Sequence, residues 1–325
     1  MESNHQPAET PLHQRIVSQQ VDAQKDSPLF SLLPPEVRSK IFALAVAEYE
    51  DVDNPYPIDA SWRPSHCAPR KICLNLLLTC RAVYLEACFL PFESIEQSVW
   101  LNRAHSHPML WAQAMQKINK LLATLEQQLG HAKGEIGCLH VYATVEAVEQ
   151  GILLKQVLRS PGLHPRQLVL TISHDDWPDW NWDAPLRFEA DWIKRISGAI
   201  SSSTQVFNIE LEAVEQKKDQ LDVVGKHIAE HWFFRRSDGT VLYADVSGKC
   251  LRVSQWIGPS SWRNEGWALD LNGVKKIKYY NLVITFESQL TVKAKGGMVS
   301  EAAKRNAADP LYDHLSVRIA DTPES

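Results

Sequence analysis

The chain has 325 residues, 44% of them hydrophobic, and a formal net charge of −5. That composition supports one large domain or two ordinary ones, and the near balance of charge argues against a polyanion-binding protein or an acidic solvating tail. No run reaches the roughly 18 apolar residues that span a bilayer, and residues 1–26 lack the apolar centre of a secretory signal, so the expected address is cytosol or nucleus.

Residues 1–26 are polar and Gln-rich, with no sustained hydrophobic period, and are expected to be disordered. Order should begin near Ser27. Pro34 and Pro35 then stand where a first helical turn tolerates missing N–H groups. Val37, Ile41, Leu44 and Ala45 follow at helical spacing, and Glu36 suits the positive end of the helix dipole. Asp51–Arg70 holds four prolines and reads as a loop or insertion. A second helix within Leu76–Ala87 aligns Leu77, Cys80, Tyr84 and Ala87, and Pro91 should close it. A third runs from about His107 to Leu129, with Leu110, Ala114, Ile118, Leu121, Leu122, Leu125 and Leu129 on its seam and Gly130 as a C-cap.

From Ile136 the rhythm changes. Strands are expected at Cys138–Ala143, Gln167–Ser173 and Gln205–Leu211, with helices at Val145–Arg159, Phe188–Ile200 and Lys217–Trp232 between and after them. Three strand–helix units in succession argue for a mostly parallel sheet with right-handed crossovers. The end turns antiparallel: a hairpin around Asp238-Gly239, then strands at Leu251–Trp256 and Ile277–Phe286. The stretch after Gly296-Gly297 is expected to fray. The expected division is therefore a tail (1–26), a helical segment (27–95), a connecting helix (96–135), an α/β domain with a mixed, partly parallel sheet (136–292) and a mostly flexible C-terminal tail (293–325).

Little enzyme chemistry is visible. There is no Gly-rich phosphate loop, no G-x-S-x-G elbow and no His-Glu-x-x-His pair. His227 and His231 have the i, i+4 spacing that can place two metal ligands on one helix face, but ordinary histidines explain them as well. The cysteines from Cys67 to Cys88 are six to eight residues apart, wider than zinc pairs; His66-Cys67 with Cys73 is the loosest possibility, and reduced thiols are the expectation for these and for Cys138 and Cys250. Lys275-Lys276-Ile277-Lys278 is the one basic run, too little for nucleic acid. No cofactor or metal is called for.

The loop after the second strand, His174-Asp175-Asp176-Trp177-Pro178-Asp179-Trp180-Asn181-Trp182-Asp183, lies where parallel sheets place ligands. His174, Asp175 and Asp176 could move protons or bind a metal. Trp177, Trp180 and Trp182 could make a partner surface, or the rings could cover the end of the core. Trp256, Trp262 and Trp267 with Tyr279 and Tyr280 carry the same ambiguity.

The N-terminal segment LFSLLPPEVRSKIFALAV resembles the opening of an F-box, with Leu33, Pro34, Glu36, Ile41 and Phe42 at its motif positions; LLLTCRAVYLEA is similar to the second F-box segment through Cys80, Arg81 and Tyr84. Two departures stand out: the Pro-rich insertion widens the spacing between the segments, and Tyr84 stands where Trp is usual. The whole also resembles a set of fungal proteins of unknown function that open with an F-box-like segment and continue into a Trp-rich α/β region. The resemblance implies docking on the Skp adaptor of a cullin–RING ubiquitin ligase through Leu33, Pro34, Val37, Ile41, Phe42, Cys80, Arg81 and Tyr84, with the remaining domain holding a client. Three functions follow as expectations: such a receptor, without enzymatic activity; a single-module binding protein whose helices only complete the core; and a hydrolase-type enzyme using His174 and its acids.

Overall fold

A computed structural model of the chain describes residues 10, 12–55, 68–101, 111–129, 135–182, 184–247, 251–259, 269–271, 274–309 and 312–319. Of the residues singled out above, His66, Cys67, His107, Leu110, Gly130, Asp183, Cys250, Trp262 and Trp267 lie outside that set.

The frame is a sheet in which four neighbouring strands run parallel: β3 (Glu96–Leu101), β4 (Glu135–Ala143), β5 (His164–Ile172) and β7 (Val206–Val214). β12 (Val274–Ser288) lies antiparallel to β7, pairing Tyr279 with Val214 through Glu287 with Val206. β9 (Val241–Ala244) and β10 (Leu251–Pro259) pair with successive stretches of β12, and β8 (Phe234–Arg235) pairs with β9 around Gly239, whose φ of 83° suits the Asp-Gly hairpin. Helices and a mixed parallel and antiparallel sheet make this an α+β mixed class, as the strand–helix rhythm implies.

The parallel strands are adjacent in chain order, so the crossovers wind one way and place their helices on one face. α6 (Trp111–Leu129), α8 (Ile152–Leu158), α9 (Asp191–Ile196) and α10 (Lys218–His231) turn Ile118, Leu125, Val157, Trp192, Val224 and Ile228 onto Leu139, Leu170, Ile209 and Leu282 of the sheet, all fully buried or nearly so. Alternate strand positions point to the other face, which carries His140, Thr171, Asn208 and Glu210 beside a small apolar cluster of Val214, Ile277 and Tyr279.

Several boundaries differ from the sequence reading. Glu96–Leu101 is the first parallel strand, not part of a connecting helix; its alternation is obscured because both faces are half covered. The helix expected over Val145–Arg159 is two, α7 (Val145–Gln150) and α8, broken at Gly151 with φ 63°. The helix expected from Phe188 starts at Asp191, because Arg187–Phe188 (β6) pairs with Val317–Arg318 (β13). That pairing overturns the flexible tail. α11 (Gln289–Ala294) and α12 (Glu301–Ala308) continue the fold, and Ala303, Ala307, Leu315 and Val317 enter the main core. Within 1–26, Leu12–Val17 (α1) is helical rather than disordered: the His13 ring lies 6.0 Å from Tyr84 and 6.3 Å from Phe89, contacts that offset the cost of ordering a polar segment.

The N-terminal helices form their own unit. α2 (Pro28–Ser31), α3 (Pro35–Ala45), α4 (Arg81–Ala87) and α5 (Leu90–Ser94) enclose Phe42, Val83 and Ala87, a cluster separate from the main core. Glu48–Glu50 (β1) and Arg70–Ile72 (β2) form a ribbon at the two ends of the Pro-rich insertion, so that stretch is bracketed by paired backbone. The unit meets the sheet through α5, which lies so close to β4 that a Cβ on Gly137 would fall 1.9 Å from the Glu93 carbonyl oxygen. Only glycine permits that approach. Arg166 on Glu93 at 2.8 Å and Arg70 bridging Glu48 at 3.0 Å and Glu96 at 3.6 Å hold the same seam.

Candidate docking surface and polar clusters

α3 begins with Pro34 as N-cap and Pro35 at the first helical position. Its faces are sharply different. Phe42 is 1% exposed and packs with Leu29, Phe30, Leu76, Leu77, Cys80 and Leu90 around it. Arg38 lies over the Phe30 ring at 5.0 Å, donates to both Glu86 carboxylate oxygens at 2.8 and 2.9 Å, and donates to the Leu33 carbonyl at 2.7 Å. This fork ties α3 to α4. On the outer side Val37, Ile41 and Leu44 form a stripe at i, i+4 and i+7, exposed by 41%, 41% and 79%. Leu32 before the helix, and Leu74 and Leu78 before α4, are also exposed.

The eight proposed docking residues therefore separate. Pro34, Val37 and Ile41 face outward, and Leu33 is half-buried. Phe42 belongs to the interior of the unit, and Cys80 is half-buried against it. Arg81 is exposed and reaches the Gln20 carbonyl at 3.4 Å, and Tyr84 is half-buried against His13, so both meet the N-terminal segment.

The loop after β5 is built mainly for closure. Asp176 accepts from the Ser173 backbone N–H at 2.8 Å, half of a reciprocal capping box, so this acid is committed to the turn. Trp177 is buried, meets Phe188 edge to face at 6.2 Å and donates its indole N–H to the Glu212 carbonyl at 2.8 Å. His174 is buried, edge-on to Trp180 at 5.6 Å and 6.0 Å from Tyr279. Trp182 alone of the three tryptophans stands out, at 80% exposure, and Asp175 is half-buried. Two of the loop's rings thus cover the end of the core, one of the two readings that the sequence leaves open, and the third stays outside.

Structure adds a residue that sequence reasoning passed over. Glu212 of β7 accepts the Trp256 indole N–H at 2.7 Å and the His174 backbone N–H, while Trp256 stacks on Tyr279 at 4.6 Å. Desolvation outweighs both hydrogen bonds, with Asp175 and Asp176 adding to it, and pushes the Glu212 carboxyl up to about 7. A folded-state value above the ordinary carboxylate range means that the folded chain holds the proton more tightly. Stability is thus present near pH 5 and falls as pH rises toward 8. Glu212→Gln should flatten that dependence, by on the order of 2 kcal/mol across the window, as read by denaturant melts between pH 5 and 8. Equal slopes in both proteins would assign the proton elsewhere.

The polar face carries a second arrangement. His140 of β4 has Nδ1 2.9 Å from Glu96 of β3 and Nε2 2.7 Å from the Thr171 hydroxyl of β5; that hydroxyl donates to Glu210 of β7 at 2.8 Å. Tyr142 stacks on the imidazole at 4.0 Å. A carboxylate, an imidazole and a hydroxyl in line could activate a nucleophile. Here the hydroxyl hydrogen goes to Glu210 rather than to the imidazole, and the chain reads as a tie across four strands. Its sequence signal is a polar residue at alternate positions of apolar strands, as in Leu139-His140-Val141, Leu170-Thr171-Ile172 and Ile209-Glu210-Leu211.

His227 and His231 stack at 4.4 Å and are committed to backbone: His227 Nε2 donates to the Leu315 carbonyl at 3.0 Å, and His231 Nδ1 lies 3.0 Å from the His227 carbonyl. Burial lowers the pKa of His227. Among the described residues no group of three or more His, Cys, Asp or Glu is placed to hold a metal ion, and no helix is long and apolar enough to cross a membrane. Cys73, Cys80, Cys88 and Cys138 are free thiols. Among known proteins, no family model, no curated protein and no solved structure matches this chain.

Proposed function

We propose that the chain is an intracellular protein-interaction module that docks through the outer stripe of α3, in the manner of an F-box on the Skp adaptor of a cullin–RING ubiquitin ligase, rather than an enzyme. The observation that carries the reading is the split in α3: its inner face is satisfied by its own small core, yet Val37, Ile41 and Leu44 stay in water. An amphipathic helix whose second apolar stripe is uncovered suits helix-in-groove recognition. The Arg38–Glu86 fork holds the stripe rigid, which lowers the entropy lost on binding. The sheet domain would carry the client surface, and the exposed Trp182 is its best-placed anchor from the β5 loop.

The alternative, helices that only complete the fold, draws support from Phe42 lying inside. The two are separated by mixing the purified chain with recombinant Skp adaptor and measuring affinity by calorimetry. Micromolar or tighter binding, lost in Ile41→Asp/Leu44→Asp, supports docking. No binding by the folded wild type ends it.

A further inference from the structure

The C-terminal end of β7 gathers an acid, an unsatisfied amide and aromatic rings on the sheet face opposite the crossover helices. Parallel sheets hold ligands just beyond this end of their strands. The register sets Glu212 of β7, Asn281 of β12 and Ser254 of β10 side by side, and Val214, Tyr279 and Trp256 in the next row of the same face. Val214, Ile277 and Tyr279 pack together as an apolar floor. The Trp256 ring lies on Tyr279, and Gly258 leaves room for it: a Cβ there would fall 2.3 Å from the indole. Glu212, Asn281, Asp175 and Trp180 are half-buried and Trp256 is 36% exposed, so the group meets solvent between β10 and the β5 loop.

The polar atoms here are acceptors short of donors. Glu212 accepts only from neutral groups, the Trp256 indole and the His174 backbone N–H, and the charges that act on it are those of Asp175 and Asp176. No lysine or arginine among the described residues donates to it. Its cross-strand neighbour Asn281 has Oδ1 buried with no hydrogen-bond partner, a cost that a ligand's N–H would remove. An apolar floor edged by a few convergent polar groups is the usual make-up of a small-ligand site. We propose that this is a binding site for a primary ammonium on an apolar stem, with the ammonium donating to the Glu212 carboxylate and Asn281 Oδ1 and the stem lying along Trp256 and Tyr279. The two acceptors select a cation with several N–H groups, the Trp256 ring face favours positive charge, and Asp175 repels anions.

The indole N–H resonances of the full chain, followed by NMR, read the site directly, because the Trp256 N–H donates to Glu212. The resonance missing in Trp256→Phe assigns it. Butylammonium chloride at constant ionic strength should move that resonance saturably, with a Kd in the millimolar range. Glu212→Gln should weaken binding by about 10-fold or more and Asn281→Leu by about threefold, each with an unchanged circular dichroism spectrum. Glu146→Gln, at an exposed acid of α7, should bind as wild type does. Only the ionised carboxylate attracts a cation, and burial pushes the Glu212 carboxyl up to about 7, so affinity should rise roughly ninefold from about pH 6 to 8. Tetramethylammonium, a cation without N–H, should bind wild type about 10-fold more weakly than butylammonium. Nα-acetyl-lysine methylamide identifies the source: tighter binding than butylammonium assigns the site to a lysine of a polypeptide, and weaker binding to a free amine. No saturable shift up to about 50 mM overturns the proposal. So does equal binding by folded Glu212→Gln or Asn281→Leu, or by tetramethylammonium.

Discussion

A chain ended after Asp309 is expected to lose about 5 kcal/mol of stability, with Tm falling by on the order of 10 °C. The removed segment supplies Leu315 and Val317, exposed by 0% and 6%, and burial of two such side chains contributes about 1.5–3 kcal/mol each. It also supplies the Leu315 carbonyl, which accepts from both the Trp232 indole at 2.7 Å and His227 Nε2 at 3.0 Å. Trp232 is fully buried in an aromatic group with Phe188, Trp192 and Phe234, so its orphaned N–H cannot turn to water. Total stability of ordinary domains is about 5–15 kcal/mol, so poor soluble yield is a further expected sign. Leu315→Ala is the milder form, at about 2–5 kcal/mol. Thermal melts within about 2 °C of wild type for both would make the segment a spectator and contradict the packing.

The second large effect is a contrast between neighbours. Phe42→Ala should cost the helical unit about 3–5 kcal/mol, because the ring is the main occupant of a small cluster that the sheet does not share. Hydrogen exchange should then quicken over Pro35–Ala45 and Arg81–Ala87 while β4, β5 and β7 keep their protection. Ile41→Asp/Leu44→Asp should do the reverse: stability within roughly 0.5 kcal/mol per site, and adaptor affinity reduced by about 100-fold or more if each is a hot spot. Should Ile41→Asp/Leu44→Asp unfold the unit, the stripe is packing surface after all.

The fold was legible where one residue pattern had one explanation. Gln167–Ser173 and Gln205–Leu211 read as buried parallel strands because both are short apolar runs between helices, and both are. The Asp238-Gly239 hairpin was set by turn chemistry alone. Legibility failed where distant partners decide. Val317 is an ordinary residue in a polar stretch until Phe188 pairs with it, and Glu96–Leu101 becomes a strand because β4 lies alongside. On the site, sequence separated the apolar residues of α3 from the polar ones, but its list mixed the inner Phe42 with the outer Ile41, since both apolar stripes fit a helical period. In the β5 loop, the covering role of the rings is one of the two readings that the sequence allows, while the capping role of Asp176 comes from the structure. Glu212 was invisible, because its environment comes from Trp256 on a strand far along the chain.

The place of β12 bears on how the chain is assembled as it leaves the ribosome. β3, β4, β5 and β7 can zip together in the order of their synthesis, each next to the last. β9 and β10 are made before β12 yet have their long ladder on it, so until residues 274–288 arrive β9 has only its short hairpin with β8, and β10 has no strand to pair with among the described residues. During that wait the flank of β7 and the apolar side of β10 are both open to strangers, and a nascent-chain chaperone would find its most urgent client surface there.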